Sequence, residues 1–284
     1  MEFDNFIGID WSGDKNKYQR GISVAKCEMN QNTPKIIQPK EKYWSRRSLI
    51  EWLIKEINTK KTLIGFDFAF SYPFYDYFSY FPGIRDSPSS PFGLWEKIDN
   101  INNKTPNFYG GGIWLQEPYS SFFNAPNLKG IFYKSRRRHT EIHAKNKIHS
   151  PSPTFNCVGP GAVGTGSLAG MRVLNLLKKK INIWPFNIDF MNKKSSAVEI
   201  FPTYYFRYAG VKPEKKIGYT INKINEALNY YNCNSLPENI IIGGPDQDDA
   251  DAIISAAALR FFSANKKAWI VQGFSKKEGW IFGV

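Results

Sequence analysis

Acidic side chains close three apolar segments of the sequence. The segments and their acids are NFIGIDW at 5–11 with Asp10, TLIGFDF at 62–68 with Asp67, and SSAVEIFP at 195–202 with Glu199. A charged carboxylate is costly to bury, so each of these acids needs a compensating partner. Strand ends gather along one edge of an open α/β sheet, and neighbouring strands would bring the acids together there. Since the acids have no nearby Cys or His in the sequence, an all-oxygen ligand set favours Mg²⁺ or Mn²⁺ as the compensating cation.

A further group of acids opens the segment DQDDADAIISAAALRF at 246–261. Asp248 and Asp251 are three residues apart, so on a helix they share a face and reach one point. They also lie near the predicted helix N-terminus, where negative charge is favoured. The small apolar residues after them would let this helix lie close to a sheet and bring its first turn to the strand acids. The alternative is that Asp246, Asp248 and Asp249 only cap the helix.

The rest of the chain predicts an α/β order of elements. Strands are expected at 5–11, 21–28, 35–44, 62–68 and 195–202, helices at 48–58, 214–231 and 246–264, a glycine-rich loop running into a helix at 159–180, and a closing hairpin from KAWIVQG and GWIFGV. Ser48 and Glu51 match a capping box. The stretch at about 70–160 is dense in aromatic residues, proline and serine, which predicts a large insertion rather than a polar linker. We therefore expect one domain, 1–284, with an insertion.

Two further motifs could contact phosphate groups. GPGAVGTGSLAG at 159–170 lacks the Lys-Ser/Thr pair of a Walker A motif, but the backbone N–H groups at a glycine-rich helix start can bind phosphate. Gly164 and Thr165 are the candidate contacts, and tight packing is the alternative role of the glycines. The motif KSRRRHTEIH supplies Arg136 and Arg138, whose guanidinium groups match phosphate oxygens, with a solvated basic turn as the alternative.

The composition limits the class of protein. The 284 residues carry a formal net charge of +13, which favours a polyanionic partner, nucleic acid before an anionic membrane. A genome whose base composition enriches Lys, Asn and Ile would give the same surplus, so charge alone does not decide. The cysteines Cys27, Cys157 and Cys233 are far apart, as expected in a reducing compartment. We see no secretory signal and no apolar run of membrane-spanning length, and expect a cytoplasmic protein without membrane contact.

Eight motifs, in order along the chain, resemble those of one family. They are GIDWSG (8–13), IGFDFAFSYP (64–73), RRHTE (137–141), VGPGAVGTGSLAGM (158–171), IWPF (183–186), VEIFP (198–202), DDADAIISAAALR (248–260) and EGWIFGV (278–284). They look like successive motifs of the DUF429 family of predicted ribonuclease H-like nucleases. DDADAIISA also resembles the terminal helix of Holliday-junction resolvases in that superfamily. The resemblance implies an α/β fold: a ribonuclease H-like mixed sheet flanked by helices, with a large aromatic-rich insertion.

The resemblance also implies roles for individual residues. The implied metal ligands, which are at the same time the implied catalytic residues, are Asp10, Asp67, Glu199, Asp248 and Asp251. Arg138 and Glu141 match an R-x-T-E motif and are implied to lie near the site. The chain departs from the family pattern at Gln247, which leaves open which aspartate faces the metal. We favour Asp251, then Asp248, then Asp249.

The activity that this resemblance implies is hydrolysis of nucleic-acid phosphodiesters by two Mg²⁺ or Mn²⁺ ions held by the carboxylates. Two alternatives stay open. The first is an ATP-dependent phosphotransferase or ATPase of the actin and sugar-kinase branch, which shares the core and would suit GIDWSG with a glycine-rich loop. The second is a non-catalytic protein that binds nucleic acid or a nucleotide through its basic face.

Overall fold

Strands and helices alternate through much of the chain. The computed structural model describes residues 2–159, 161–187, 194–244, 247–271 and 273–284. The strands are β1 (Asn5–Asp10), β2 (Tyr18–Gln19), β3 (Ser23–Glu28), β4 (Gln31–Ile36), β5 (Trp44–Ser45), β6 (Thr62–Phe66), β7 (Asn124–Ala125), β8 (Leu128–Lys129), β9 (Asn182–Ile183) and β10 (Ser196–Glu199). The α-helices are α1 (Arg46–Thr59), α2 (Pro91–Ile101), α3 (His139–Lys147), α4 (Gly164–Leu177), α5 (Pro202–Tyr208), α6 (Ile221–Tyr230), α7 (Asp248–Ser263) and α8 (Ser275–Glu278). Short 3-10 helices span Gly111–Leu115, Tyr119–Phe122 and Lys266–Trp269.

A six-stranded mixed sheet forms the centre of the fold, in the order β4-β3-β1-β6-β10-β9. Strand β3 is antiparallel to both of its neighbours, whereas β1, β6, β10 and β9 pair in parallel. The sheet is therefore mostly parallel. Because β1, β6 and β10 are adjacent and run the same way, their carboxyl ends meet at one edge, as the sequence predicted for the three strand acids. The Asp67 N–H donates to the Ile9 carbonyl at 3.0 Å, which aligns Asp67 with Asp10.

The two faces of the sheet carry separate apolar clusters. Ile7, Ile64 and their neighbours pack with apolar side chains of α1, α2 and α4. Phe6, Leu63 and their neighbours pack with α5, α6 and α7 on the other face. The two-residue alternation of a strand sends successive side chains to opposite faces, so β1 and β6 contribute to both clusters. The result is a sheet flanked by helices.

Helix α7 lies unusually close to strand β1. A Cβ atom added at Gly8 would be 2.4 Å from the Ala252 carbonyl oxygen and 2.6 Å from the Ala256 nitrogen. Such distances are well below a normal non-bonded contact of about 3.5–4.0 Å. The predicted role of the small residues in this helix is thus confirmed: they let its backbone approach the sheet, and its first turn reaches the edge where the strand acids lie.

The aromatic residues of 70–160 are mainly packing residues. Tyr72, Phe81, Trp95 and Phe123 are fully buried and belong to the same apolar cluster as Ile7 of the sheet. Between 70 and 160 the described chain forms α2, α3, two 3-10 helices and one two-residue strand pair, β7 with β8. Edge-on and tilted ring contacts, more than regular secondary structure, fill this segment.

Several predicted elements differ from the structure. The strand expected at 35–44 lies earlier, at Gln31–Ile36, and helix 214–231 begins only at Ile221. The cap of α1 is Ser45 rather than Ser48: the Ser48 N–H donates to Ser45 Oγ and the Ser45 N–H donates to Ser48 Oγ, both at 3.0 Å. Asp246, one of the predicted caps of α7, lies outside the described residues.

The predicted closing hairpin is wrong for the part of the chain that the structure describes. Lys266–Trp269 forms a 3-10 helix, and Ser275–Glu278 is a short α-helix. Ile281 instead bridges Glu199 in parallel, and the Phe282 N–H donates to the Glu199 carbonyl at 2.9 Å. Ile281 and Phe282 therefore add backbone contacts to the carboxyl end of β10. In the described ranges, no helix combines the length and apolar character needed to cross a membrane.

Candidate functional site

Four aspartates from three elements meet at the carboxyl edge of the sheet. Asp10 ends β1, Asp67 follows β6, and Asp248 and Asp251 lie in the first turn of α7. The Asp10 side chain is in hydrogen-bonding contact with the carboxyl groups of Asp67 and Asp248, and it feels the charge of Asp251. The sequence-predicted convergence of these four side chains is therefore present.

The electrostatics of these carboxyl groups show how crowded the site is. Burial raises the pKa of Asp10 well above its ordinary value, and the charges of Asp251, Asp67 and Asp248 raise it further. Burial, followed by the charge of Glu199, raises the pKa of Asp67 to about 7. A hydrogen bond between two carboxyl groups requires a proton on one of them, which fits the raised values. Asp10 and Asp67 therefore keep their protons to a higher pH than exposed aspartates do.

The residues around the acids fix their positions. The Trp11 N–H donates to Asp10 Oδ1 at 3.0 Å. Before α7 the chain turns tightly at Gly244, where φ is +93° and an added Cβ would be 2.3 Å from Asp248 Oδ2. Only glycine combines this left-handed backbone with such a close approach. The turn therefore lies directly against the Asp248 carboxylate.

The third candidate of this helix, Asp249, has different partners. Its Oδ1 accepts from Ser23 Oγ at 2.5 Å, and its Oδ2 accepts from the Gly243 N–H at 2.8 Å. These bonds tie the start of α7 to β3 and to the preceding loop. Asp249 is thus a structural anchor beside the carboxylate cluster formed by Asp10, Asp67, Asp248 and Asp251.

The donor chemistry of the carboxylate cluster fits a hard divalent cation, because all its donors are carboxylate oxygens. Among the described residues, however, no group of three or more His, Cys, Asp or Glu side chains is arranged so that it could hold a metal ion as placed. In this arrangement Asp10 hydrogen-bonds to other carboxyl groups. Holding a cation would require these groups to lose their protons and turn their oxygens toward it. Mg²⁺ or Mn²⁺ here stays a prediction.

Glu199 lies at the same edge but is engaged by an arginine. Its Oε1 accepts from Arg138 Nη2 at 2.5 Å, and its Oε2 accepts from Arg138 Nη1 at 2.8 Å and from the Phe70 N–H at 3.0 Å. Glu199 is 2% exposed. The sequence predicted a cation as the partner of the Glu199 carboxylate, and in the structure the Arg138 guanidinium is that partner. A role of Glu199 as a metal ligand stays a prediction.

Arg138 and Glu141 form the rest of this buried ion-pair group. Arg138 Nε donates to Glu141 Oε1 at 2.8 Å, and the Arg138 backbone N–H donates to Glu141 Oε2 at 3.1 Å. Arg138 Nη1 also donates to the Glu278 carbonyl at 3.1 Å. Both side chains border the cleft beside Asp67, so they lie near the site, as the resemblance implied. The guanidinium is committed to protein acceptors, which leaves little of it to bind a phosphate.

Arg136 lies apart from this group. It pairs with Asp76, with Nη2 to Oδ1 at 2.6 Å, and its guanidinium donates to the carbonyls of Pro73, Ser79 and Tyr80. It is 7% exposed. These contacts hold the loop at 73–80 in place. They use the hydrogen-bond donors of the Arg136 guanidinium within the protein, so its position needs no substrate to explain it.

The glycine-rich segment borders a cleft of about 820 Å³ that also reaches Asp67. An added Cβ at Gly13 would be 2.4 Å from the Gly166 nitrogen, so the GIDWSG loop lies against the start of α4. Trp11 Nε1 donates to the Gly166 carbonyl at 3.0 Å. Thr165 lines the cleft, whereas an added Cβ at Gly164 would be 2.5 Å from Cys157 Sγ. Gly164 is therefore needed for packing, and Thr165 faces the space where a substrate could lie.

A second cleft, of about 670 Å³, has a different lining and reaches Asp248. Arg20, Lys42 and Tyr43 line it. None of these residues was predicted from the sequence to belong to the site. The basic character of Arg20 and Lys42 was visible, but their approach to a helix more than two hundred residues away was not.

Comparison of the chain with protein-family models, with curated proteins and with solved structures found no match. The resemblance to the DUF429 family accordingly depends on the eight motifs quoted above. The fold and the site define an α/β protein with a cluster of four aspartates, of which Asp10 and Asp248 are buried, at the carboxyl edge of its sheet.

Proposed function

We propose that this protein is a metal-dependent nuclease that hydrolyses phosphodiester bonds of nucleic acid at the carboxylate cluster. One observation carries the proposal: Asp10, Asp67, Asp248 and Asp251 come from three separate elements and lie so near one another that burial and the charges of the other three raise the pKa of Asp10. A purely structural site gains nothing from such crowding, since it raises the free energy of the folded state. A divalent cation would turn the same crowding into binding energy.

The sheet supports a ribonuclease H-like fold as part of this proposal. The antiparallel meander of β1, β3 and β4 precedes α1 and the parallel strand β6, and the acidic helix α7 comes late in the chain. This is the layout that the motifs implied. Helix α7 packs on β1 beside Gly8, which brings its acids to the same edge as Asp10 and Asp67.

The chain's own residues would divide the work as follows. Asp10, Asp67, Asp248 and Asp251 would hold Mg²⁺ or Mn²⁺, which when bound would activate water and stabilise the leaving oxygen. Arg138 neutralises Glu199, which limits the negative charge near Asp67. Thr165 and the start of α4 would contact the substrate next to the scissile bond.

The proposed reaction is balanced without a further reactant. The oxygen of one water molecule forms a bond to phosphorus, and the bond from phosphorus to the 3′ oxygen breaks. One proton of that water ends on the 3′ oxygen. The products are a strand with a 5′-phosphate and a strand with a 3′-hydroxyl.

The test is cleavage of a panel of single-stranded DNA, RNA, duplex DNA, RNA–DNA hybrid and branched DNA with Mn²⁺ or Mg²⁺. Asp10→Asn and Asp251→Asn should abolish cleavage, because each replaces one carboxylate of the cluster by a neutral amide of nearly the same shape. Asp249→Asn is the matched control: it removes an equal charge from the same helix turn, at a residue bonded to Ser23 and Gly243. Equal loss in all three variants, or cleavage that survives Asp10→Asn, would refute the assignment of roles.

An ATP-dependent phosphotransferase is the second candidate. The close contact of Gly13 with Gly166 beside a cleft of about 820 Å³ favours it, because two glycine-containing loops could enclose a nucleotide phosphate there. Saturable ATP binding without any nuclease activity would favour this candidate over the first.

A further inference from the structure

Each of the two clefts is lined by one aspartate of the carboxylate cluster. Asp67 lines the cleft of about 820 Å³, called the first cleft here, and Asp248 lines the second cleft, of about 670 Å³. Asp10 touches the carboxyl groups of both. Asp10 therefore links an acid of one cleft to an acid of the other, and a strand that occupied both clefts would lie near the cluster. A small substrate would need one cleft only, whereas a polymer extends to both sides of the bond that is cut.

The two clefts carry positive charge that has no acidic partner. Lys15 lines the first cleft, and Arg20 and Lys42 line the second. All three side chains are exposed, and within the described ranges none of them forms a salt bridge. In the second cleft, Lys42 Nζ and the Arg20 guanidinium lie 5.4 Å and 6.0 Å from the centre of the Tyr43 ring. Arg20 and Lys42 of the second cleft complement a phosphate backbone, whereas Lys15 of the first cleft stands next to the exposed Asp14, which lines the same cleft.

The size and walls of the clefts favour a single strand. Pockets of about 300–1,000 Å³ enclose ligands of small-molecule size, which matches single nucleotides rather than a duplex. The half-buried Tyr109 and Phe201 line the first cleft, next to the buried Trp11 and Phe68. Aromatic side chains bind unpaired bases by stacking, and a duplex keeps its bases inside.

We propose that the two clefts form one track for a single-stranded nucleic acid, with the scissile phosphodiester over the carboxylate cluster, so that the protein cuts strands internally. This inference depends on the proposed function and narrows it to an endonuclease of single strands. Because phosphates supply the charge that Arg20 and Lys42 complement, DNA and RNA share the required chemistry.

The first experiment uses substrates without ends: circular single-stranded DNA, circular RNA, and the same DNA sequence as a relaxed double-stranded circle, each with Mn²⁺. We expect a single-stranded circle to be converted to linear and then shorter products, at a rate at least about tenfold above that of the duplex circle. The DNA and RNA arms show which sugar is accepted. Degradation of linear strands from their ends with both single-stranded circles left intact would overturn the proposal.

The second experiment measures binding alone, in EDTA, by fluorescence anisotropy with end-labelled single-stranded DNA and RNA oligonucleotides. Arg20→Ala/Lys42→Ala should lower the affinity about tenfold. It should also reduce the slope of log affinity against log salt by roughly 1.4, because each lost phosphate contact of a single strand accounts for about 0.7. The matched control is Lys60→Ala/Lys179→Ala. It removes two exposed charges that lie next to the amino end of β6 and after the last turn of α4, away from the carboxyl edge.

The two experiments separate the two proposals. Binding that is lost in Arg20→Ala/Lys42→Ala but kept in the control, with no cleavage of any substrate, supports the track and refutes the nuclease. Cleavage of linear strands that is equally fast in both double variants supports the nuclease and refutes the track. Equal losses of affinity in the two double variants also refute it, since the effect would then come from net charge alone.

Discussion

Replacing Gly8 by alanine tests the contact on which the proposed site depends. Gly8 is in the middle of β1, paired with Ala25 and Gly65. The new Cβ would be 2.4 Å from the Ala252 carbonyl oxygen and 2.6 Å from the Ala256 nitrogen. Reaching a contact of about 3.5 Å requires α7 and β1 to separate by roughly 1 Å. These are backbone atoms, so no side chain can rotate away.

The expected cost follows from this geometry. Overpacking of a well-filled core costs about 1–3 kcal/mol, and a backbone obstacle belongs at the upper end. Alanine recovers roughly 0.5–1 kcal/mol of the conformational entropy that glycine loses in a strand. The net loss of unfolding free energy should therefore be about 2 kcal/mol. A shift of about 1 Å between Asp10 and the start of α7 should also lower cleavage up to about a hundredfold.

Two matched glycine variants provide a scale for the stability loss of Gly8→Ala, with urea unfolding as the measurement. Gly65→Ala puts its Cβ 2.5 Å from Ile200 Cγ2 and 2.9 Å from Leu259 Cδ1, which are side-chain ends that can move. Gly273→Ala meets no atom within 4 Å. The loss of stability should decrease from Gly8→Ala to Gly65→Ala to Gly273→Ala. A Gly8→Ala protein that unfolds at the wild-type urea midpoint would refute the close approach of α7 to β1.

Three other predictions concern the charged groups. Arg138→Met should lower the free energy of unfolding by about 3–5 kcal/mol, measured by urea denaturation, because it leaves Glu141 and Glu199 buried without their partner; an unchanged midpoint would contradict this. In EDTA, the stability of the wild type should fall as the pH rises from about 4 to about 7, because folded Asp67, with its pKa raised to about 7, keeps a proton that the unfolded chain has lost. Asp67→Asn should flatten this decrease, and a parallel pH profile of the two proteins would contradict the raised pKa. Mn²⁺ at pH 8 should raise the melting temperature of the wild type more than that of Asp10→Asn, as followed by circular dichroism, and equal shifts would speak against Asp10 as a ligand.

Much of the sheet and of the carboxylate cluster could be predicted from local pattern. Short apolar runs that end in an acid gave β1, β6 and β10, and the run of small residues gave α7 and its close packing. The parallel strands then had to share an edge. The residues 70–160 could not be predicted in this way, because their order comes from aromatic packing between distant segments and has no regular period.

The sequence by itself determined which residue types stand at the ends of the strands and at the start of α7, since burial and spacing are local properties. Only the tertiary structure decided the partner of each acid. Glu199 pairs with Arg138, and Asp249 accepts a hydrogen bond from Ser23. The four aspartates of the carboxylate cluster interact with one another, because a buried charge takes whichever partner the fold brings near. The same holds for Arg20 and Lys42, whose place beside Asp248 depends on how α7 crosses the sheet.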